Sequence, residues 1–209
     1  MNRKAHWENV YTTKDPAQVS WYQPDPTISM RLIESACPEH GRIIDVGGGT
    51  SFLVDRLLDA GFKRIAVLDI SLAALQRAKA RLGERAGSVQ WLAADVTAVD
   101  SVGRFGVWHD RAVFHFLTDP EDRRKYVGLA TRTVPPGGHL VIGTFALDGP
   151  ARCSGLEVQR HDAGSLSSEF GSAFRVMHQE SEIHVTPSGE SQPFNFVVFA
   201  RQREIPTVP

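Results

Sequence analysis

The run Asp45-Val46-Gly47-Gly48-Gly49-Thr50-Ser51 puts an acid, three consecutive glycines and two hydroxyls within seven positions. Such a loop lets a ligand approach bare backbone. Asp69 follows, twenty residues after Gly49, a spacing at which a carboxylate can accept from both ribose hydroxyls of an adenosine. Asp95, in Ala93-Ala94-Asp95-Val96, is placed to accept from an adenine amino group. Taken singly, the glycines suit a tight turn and each acid a helix cap. In this order they specify an adenosine pocket without a phosphate site. Phe52 stands where a dinucleotide G-x-G-x-x-G requires its last glycine, and no Gly-Lys-Ser/Thr follows to cradle a triphosphate.

A second group of reactive types is His109-Asp110-Arg111 with His115. A histidine near neutral pH can orient or deprotonate a nucleophile, so Asp110 and His115 are candidate catalytic groups. The competing reading has Asp110 capping a turn and His115 lying in an apolar wall with Phe114 and Phe116. The planar fork of Arg111 suits an anionic substrate group. Trp7, Tyr11, Trp21 and Tyr22 form an aromatic cluster expected over the pocket mouth, and Arg152 and Cys153 fall in a loop that can line an acceptor site.

The elements that must position these residues alternate. Asp25-Pro26 predicts a helix start, with Ile28, Leu32, Ile33 and Ala36 on one face and an end before Pro38. Strands are predicted over Arg42–Val46, Arg64–Asp69, Val89–Ala93, Phe105–His109 and His139–Phe145. Between them lie helices from about Ser51 to Gly61, after the Ser71 cap, and from Asp119-Pro120 to the Pro135-Pro136-Gly137-Gly138 stop. The stretch 148–160 reads as irregular, followed by a short helix near Leu166–Phe170. Phe174–Val185 and Gln192–Arg201 are joined by four residues, enough for a hairpin but not for a crossover. The expected fold is α/β, a doubly wound, mainly parallel seven-stranded sheet ending in an antiparallel hairpin, with ligands at the carboxyl ends of the strands.

Composition narrows the partners. The 209 residues carry 23 Lys+Arg against 24 Asp+Glu, a net charge of −1, with both signs interspersed. No basic tract points to nucleic acid. No uncharged apolar run is long enough to span a membrane, and the amino terminus lacks the apolar core of a signal peptide, so a cytoplasmic protein is expected. Cys37 and Cys153 are far apart in sequence, which fits reduced thiols and offers no metal site.

The sequence resembles the class I S-adenosylmethionine (SAM) dependent methyltransferases over nearly its whole length. The resemblance lies in Ile43–Gly49, in Val67-Leu68-Asp69-Ile70-Ser71, in Ala94-Asp95-Val96 and in Pro136-Gly137-Gly138. It implies SAM as cofactor and S-adenosylhomocysteine as product. The implied cofactor contacts are Asp45, Gly47, Gly48, Gly49, Thr50, Ser51, Asp69, Ile70, Asp95, Val96, His109 and Trp21. Ser51 departs from the family's third glycine. Val107–Ala112 looks like the segment bordering the substrate pocket in the thiopurine and tellurite methyltransferases. His6–Tyr11 and Val19–Tyr22 resemble the lid of that group and of elongation-factor lysine methyltransferases. The implied arrangement is a lid over residues 1–24, a catalytic domain over 25–203 and a tail over 204–209. Tyr11, Tyr22, Arg111, Phe114 and Arg152 would meet the acceptor, with Asp110, Arg111 and His115 catalytic. The acceptor would be a small molecule with a soft sulfur, selenium or tellurium nucleophile. A protein lysine and a non-catalytic SAM-binding module are the alternatives.

Overall fold

The computed structural model describes residues 2–37 and 39–203. The tail over 204–209 and Pro38 lie outside them. Near-continuous apolar runs form the central strands β1 (Ile43–Val46) and β2 (Ile65–Asp69), buried throughout because helices cover both faces. They join β3 (Val89–Ala93), β4 (Val107–Arg111), β5 (His139–Phe145) and the closing pair β8 (Phe174–Val185) and β9 (Ser191–Arg201). The sheet order is β3-β2-β1-β4-β5-β9-β8, with only the β5–β9 and β8–β9 pairs antiparallel. This is the expected seven-stranded architecture. No helix among the described residues is long and apolar enough to cross a membrane.

Alternating side chains divide the core between the two faces. Ile43 and Val107 pack with α2 (Thr27–Ala36), α3 (Leu53–Asp59) and α4 (Leu72–Leu82). Ile44, Val46 and Trp108 pack with α5 (Pro120–Thr133) and α6 (Ala163–Phe170). α1 (Arg3–Thr13) precedes this frame and contacts α4.

Four features differ from expectation. α2 begins at Thr27 with Pro26 as its uncapped N-cap, while Asp25 instead pairs with Arg56 at 3.4 Å. β4 runs Val107–Arg111 rather than Phe105–His109. Phe105 and Gly106 bond to Thr133 and Arg42 carbonyls, so the ladder starts later and takes in Asp110 and Arg111. The stretch read as irregular contains a small ribbon, β6 (Arg152–Cys153) with β7 (Leu156–Glu157). Its two-residue turn has φ of +50° at Ser154 and +79° at Gly155, which suits the twist of a hairpin. The last helix also starts earlier than expected, at Ala163, on a capping box between Asp162 and Ser165.

Asp110 and Arg111 are neighbours on opposite faces of the sheet. Asp110 is fully buried toward α5. Its Oδ1 accepts from the Val113 amide at 2.8 Å and its Oδ2 from the Phe114 amide at 3.1 Å and from the Tyr126 hydroxyl. The Tyr126 oxygen also accepts from Trp108 Nε1 at 2.8 Å. Tyr126→Phe would strand a buried indole N–H and remove one carboxylate donor, so it should lower the unfolding free energy by about 2–3 kcal/mol. Denaturant unfolding at unchanged m-value is the measurement.

Candidate functional site

The β1–α3 turn carries the glycines. At Gly47, φ is +70° and a Cβ would collide with Val113; at Gly49, φ is +44° and a Cβ would lie 2.9 Å from both Asp69 Oδ2 and the Tyr11 hydroxyl. Bare backbone is what lets these groups converge. The far side of the turn is braced by Arg81, which donates to the Thr50 and Ser51 carbonyls at 2.8 and 2.7 Å and lies over the Phe52 ring. Ser51 Oγ accepts from the Leu53 amide at 3.1 Å, so the side chain that replaces the family's glycine supports the start of α3.

Asp69, at the end of β2, is 4% exposed. Its Oδ1 accepts from the Ser71 amide at 2.8 Å, and burial raises its pKa to about 7, with Asp45 and Glu8 adding to the rise. Asp95 Oδ1 accepts from the Thr97 amide and hydroxyl at 2.8 and 2.7 Å, while its Oδ2 faces Arg3 at 3.7 Å. Asp69, Ile70, Asp95 and Val96 line one half of a pocket at the strand ends. The glycine turn continues that pocket into a second half with Asp45, Thr50, Ser51 and Ser29. There, buried Asp45 Oδ1 lies 2.7 Å from His109 Nδ1, and His109 Nε2 lies 2.9 Å from Ser29 Oγ. With both ring nitrogens engaged, His109 acts on this space through Asp45.

The amino-terminal segment forms the roof. Trp7 packs edge-on to Trp21 and Phe116, with ring centroids 5.7 and 5.0 Å away. Trp7, Tyr11, Trp21, Phe116, Cys153 and Arg111 enclose the end of the pocket opposite Asp95. Polar contacts hold the roof down. Glu8 accepts from Ser71 Oγ and the Ala73 amide at 2.8 and 3.1 Å, and Arg77 donates to the Lys14 and Thr12 carbonyls. Gln23 donates to Glu182 at 2.8 Å, and His184 Nε2 donates to the Ser20 carbonyl at 2.7 Å.

Residues 43–138 match the family described as "Methyltransferase domain". The matched segment holds the glycine turn, Asp69 and Asp95. The chain is 32% identical over 115 residues to Nodulation protein S of Rhizobium tropici, covering 55% of this chain and 48% of that protein. It therefore spans about half the length of that relative. In fold it is similar to the N-methyltransferase NodS from Bradyrhizobium japonicum WM9 in complex with S-adenosylhomocysteine, with a TM-score of 0.71 and 17% identity over 97% of this chain and all of that one. It is also similar to Burkholderia thailandensis 1,6-didemethyltoxoflavin-N1-methyltransferase, with a TM-score of 0.71 and 16% identity over 96% and 87% of the two chains.

The donor set of the methyltransferase domain fits SAM: a near-neutral buried acid at one strand end, a second acid at the next, and a glycine turn between them and Asp45. Several expected contacts lie elsewhere. Asp110 is turned into the opposite core, where it caps the turn 111–114. His115 is fully buried; its Nδ1 accepts from the Phe145 amide at 3.3 Å, and burial lowers its pKa to about 3, so it stays neutral. Phe114 packs among Tyr126, Phe170 and His161. Tyr22 stacks edge-on against Phe52 rather than lining the pocket. Arg152 is exposed, donating to the Gly155 carbonyl, and the ribbon turns its neighbour Cys153 inward instead. Sequence reasoning did not select Ser29, Glu8 or Phe116, whose contacts come from distant elements.

Glu8 closes the exposed amide end of α4 as a side-chain cap does. Glu8→Ala should cost about 1 kcal/mol of docking. Hydrogen exchange should quicken across residues 3–13 and stay unchanged in β1, β2 and β4.

Proposed function

We propose that the protein transfers a methyl group from SAM to a small-molecule acceptor whose reacting atom already holds a free lone pair at neutral pH, a soft sulfur-class anion or an unprotonated nitrogen. One observation carries this reading: the pocket runs from Asp95 and Asp69 past the glycine turn to Arg111 and Cys153, and among the described residues no histidine or carboxylate lines its far end. Asp110 and His115 lie outside that space, and His109 is bound on both sides. The two structures of similar fold are both N-methyltransferases, which supports nitrogen as the acceptor atom.

When bound, SAM would supply an electrophilic methyl on a sulfonium, which the acceptor's lone pair takes in line while the sulfur leaves with the bonding pair. The chain's contribution is alignment and exclusion of water. Asp69 takes the ribose hydroxyls, and Asp95 with Val96 and Ile70 takes the adenine. Gly47, Gly48, Thr50 and Ser51 border the methionine part, where Ser29 and His109 hold Asp45 in place. Residues 1–24 act as a lid. Trp7, Tyr11, Trp21 and Phe116 give the transfer end aromatic walls, which favour a cation and shed water.

Calorimetry tests this. S-adenosylhomocysteine should bind saturably and NAD should not; the reverse result ends the reading. Asp69→Ala should weaken S-adenosylhomocysteine by about 2–4 kcal/mol in a folded protein, since charge-assisted bonds are worth roughly 1.5–3 each and are not additive. The pH dependence has a definite sign. The folded Asp69 pKa of about 7 lies above the ordinary carboxylate value of 3.8. The stability linked to its proton is therefore complete below about pH 4 and lost as pH rises through 7. Ribose hydroxyls donate to the ionised form, so affinity should rise between about pH 6 and 8 and be flat there in Asp69→Ala.

A further inference from the structure

Arg111 is a cation buried at the transfer end with most of its donors idle. It leaves the end of β4 and reaches the Phe194 ring on β9, with its guanidinium carbon 4.5 Å from the ring centroid. Nη1 donates to the Trp21 carbonyl at 3.2 Å. Nε and Nη2 are buried without a partner. These two N–H groups form one edge of the guanidinium, the parallel pair that a carboxylate accepts side-on. The facing acid, Glu182, has Oε1 engaged by Gln23 and Oε2 buried without a partner; it offsets part of the Arg111 charge across the gap, but among the described residues it makes no ion pair with Arg111 within 4.0 Å. Leaving a buried charge this way is costly unless a ligand completes it.

The sheet order says which ligand. Asp95, Asp69 and the glycine turn sit at the ends of β3, β2 and β1, whereas Arg111 extends from β4 across β5 to β9. Arg111 thus stands apart from the adenosine acids; it lines the pocket beside Trp21 and Cys153 and, past the glycine turn, beside Asp45 and Ser51. Resting on the methyl-transfer reading above, we propose that the acceptor carries a carboxylate that docks on Nε and Nη2 of Arg111, with a flat apolar body between Trp7, Trp21 and Phe116. The same anion chemistry is present in the methionine end of the cofactor, and the test separates the two sources.

The probes are benzoate and its neutral counterpart benzamide, titrated into the protein with and without saturating S-adenosylhomocysteine and followed by calorimetry and tryptophan fluorescence. Benzoate should bind saturably, and benzamide at least about tenfold more weakly. Arg111→Gln and Arg111→Lys should each weaken benzoate by at least about tenfold while S-adenosylhomocysteine changes by less than about twofold. The lysine variant keeps the charge and loses the fork. Equal binding of benzoate and benzamide to the unaltered protein would overturn the proposal without any variant, as would benzoate binding unchanged in either variant. A tenfold loss of S-adenosylhomocysteine in both variants, with 5′-methylthioadenosine unaffected, would also overturn it and assign the fork to the cofactor. Failure of the unaltered protein to bind S-adenosylhomocysteine would count against the methyl-transfer reading alone, because the benzoate titrations without it still judge Arg111.

Discussion

Parallel pairing of β1 with β4, in a register that sets Ile43 beside Val107 and Val46 beside Asp110, is the constraint on which the site depends. It puts Asp45 beside His109 on the face covered by α2, where Ser29 completes a buried hydrogen-bonded chain. It puts Asp110 on the other face, against α5. It also makes Arg111 the last ladder residue, level with Gly143 of β5. A slip of one residue would exchange all of these faces at once, sending the acid into the pocket and the arginine into the apolar core.

The turn after β4 shows how the two faces cooperate. Ala112 has a φ of +73°, a left-handed conformation that costs an alanine roughly 1–2 kcal/mol. Asp110 offsets this by accepting from the next two amides, Val113 and Phe114, and Tyr126 and Trp108 hold Asp110 in turn. Burial raises the Asp110 pKa to about 6, and these donors pull in the opposite direction. A buried acid that looked suited to proton transfer thus shapes the backbone that delivers Arg111, Ala112 and Val113 to the pocket.

The parts of this arrangement visible in the sequence are those set by local chemistry. Alternating β-branched strands and capped helices disclosed the doubly wound sheet, and the glycine run with Asp69 and Asp95 marked residues that the structure gathers in one pocket at the strand ends. Contacts that join distant elements left no local mark. Ser29 reaches His109 across 80 positions and Glu8 reaches Ser71 across 63. The β4 boundary was hidden because Phe105 is as strand-like as any residue in the run; what removes it from the ladder is its amide bond to the Thr133 carbonyl at the end of α5. With the expected strand ending at His109, Asp110 and Arg111 fell beyond the ladder, so alternation assigned neither of them to a face.

The character of the proposed lid follows from what holds it. Asp69 is nearly covered, so a ligand that uses its carboxylate must first displace the segment above it. Within α1 only Val10 and Tyr11 are buried, far less apolar surface than a core helix contributes. Beyond these and the half-buried Trp7 ring against Phe116, the docking is polar: Arg3 to Asp122 and Thr97, Glu8 to the end of α4, and Arg77 to carbonyls at the end of α1. Each such contact exchanges for water at small net cost, so their sum gives specificity of position more than strength. A helix seated by many exchangeable bonds and few buried methyl groups can leave and return in one register. Access to a deep cofactor site demands that combination, and a conventional apolar interface would not provide it.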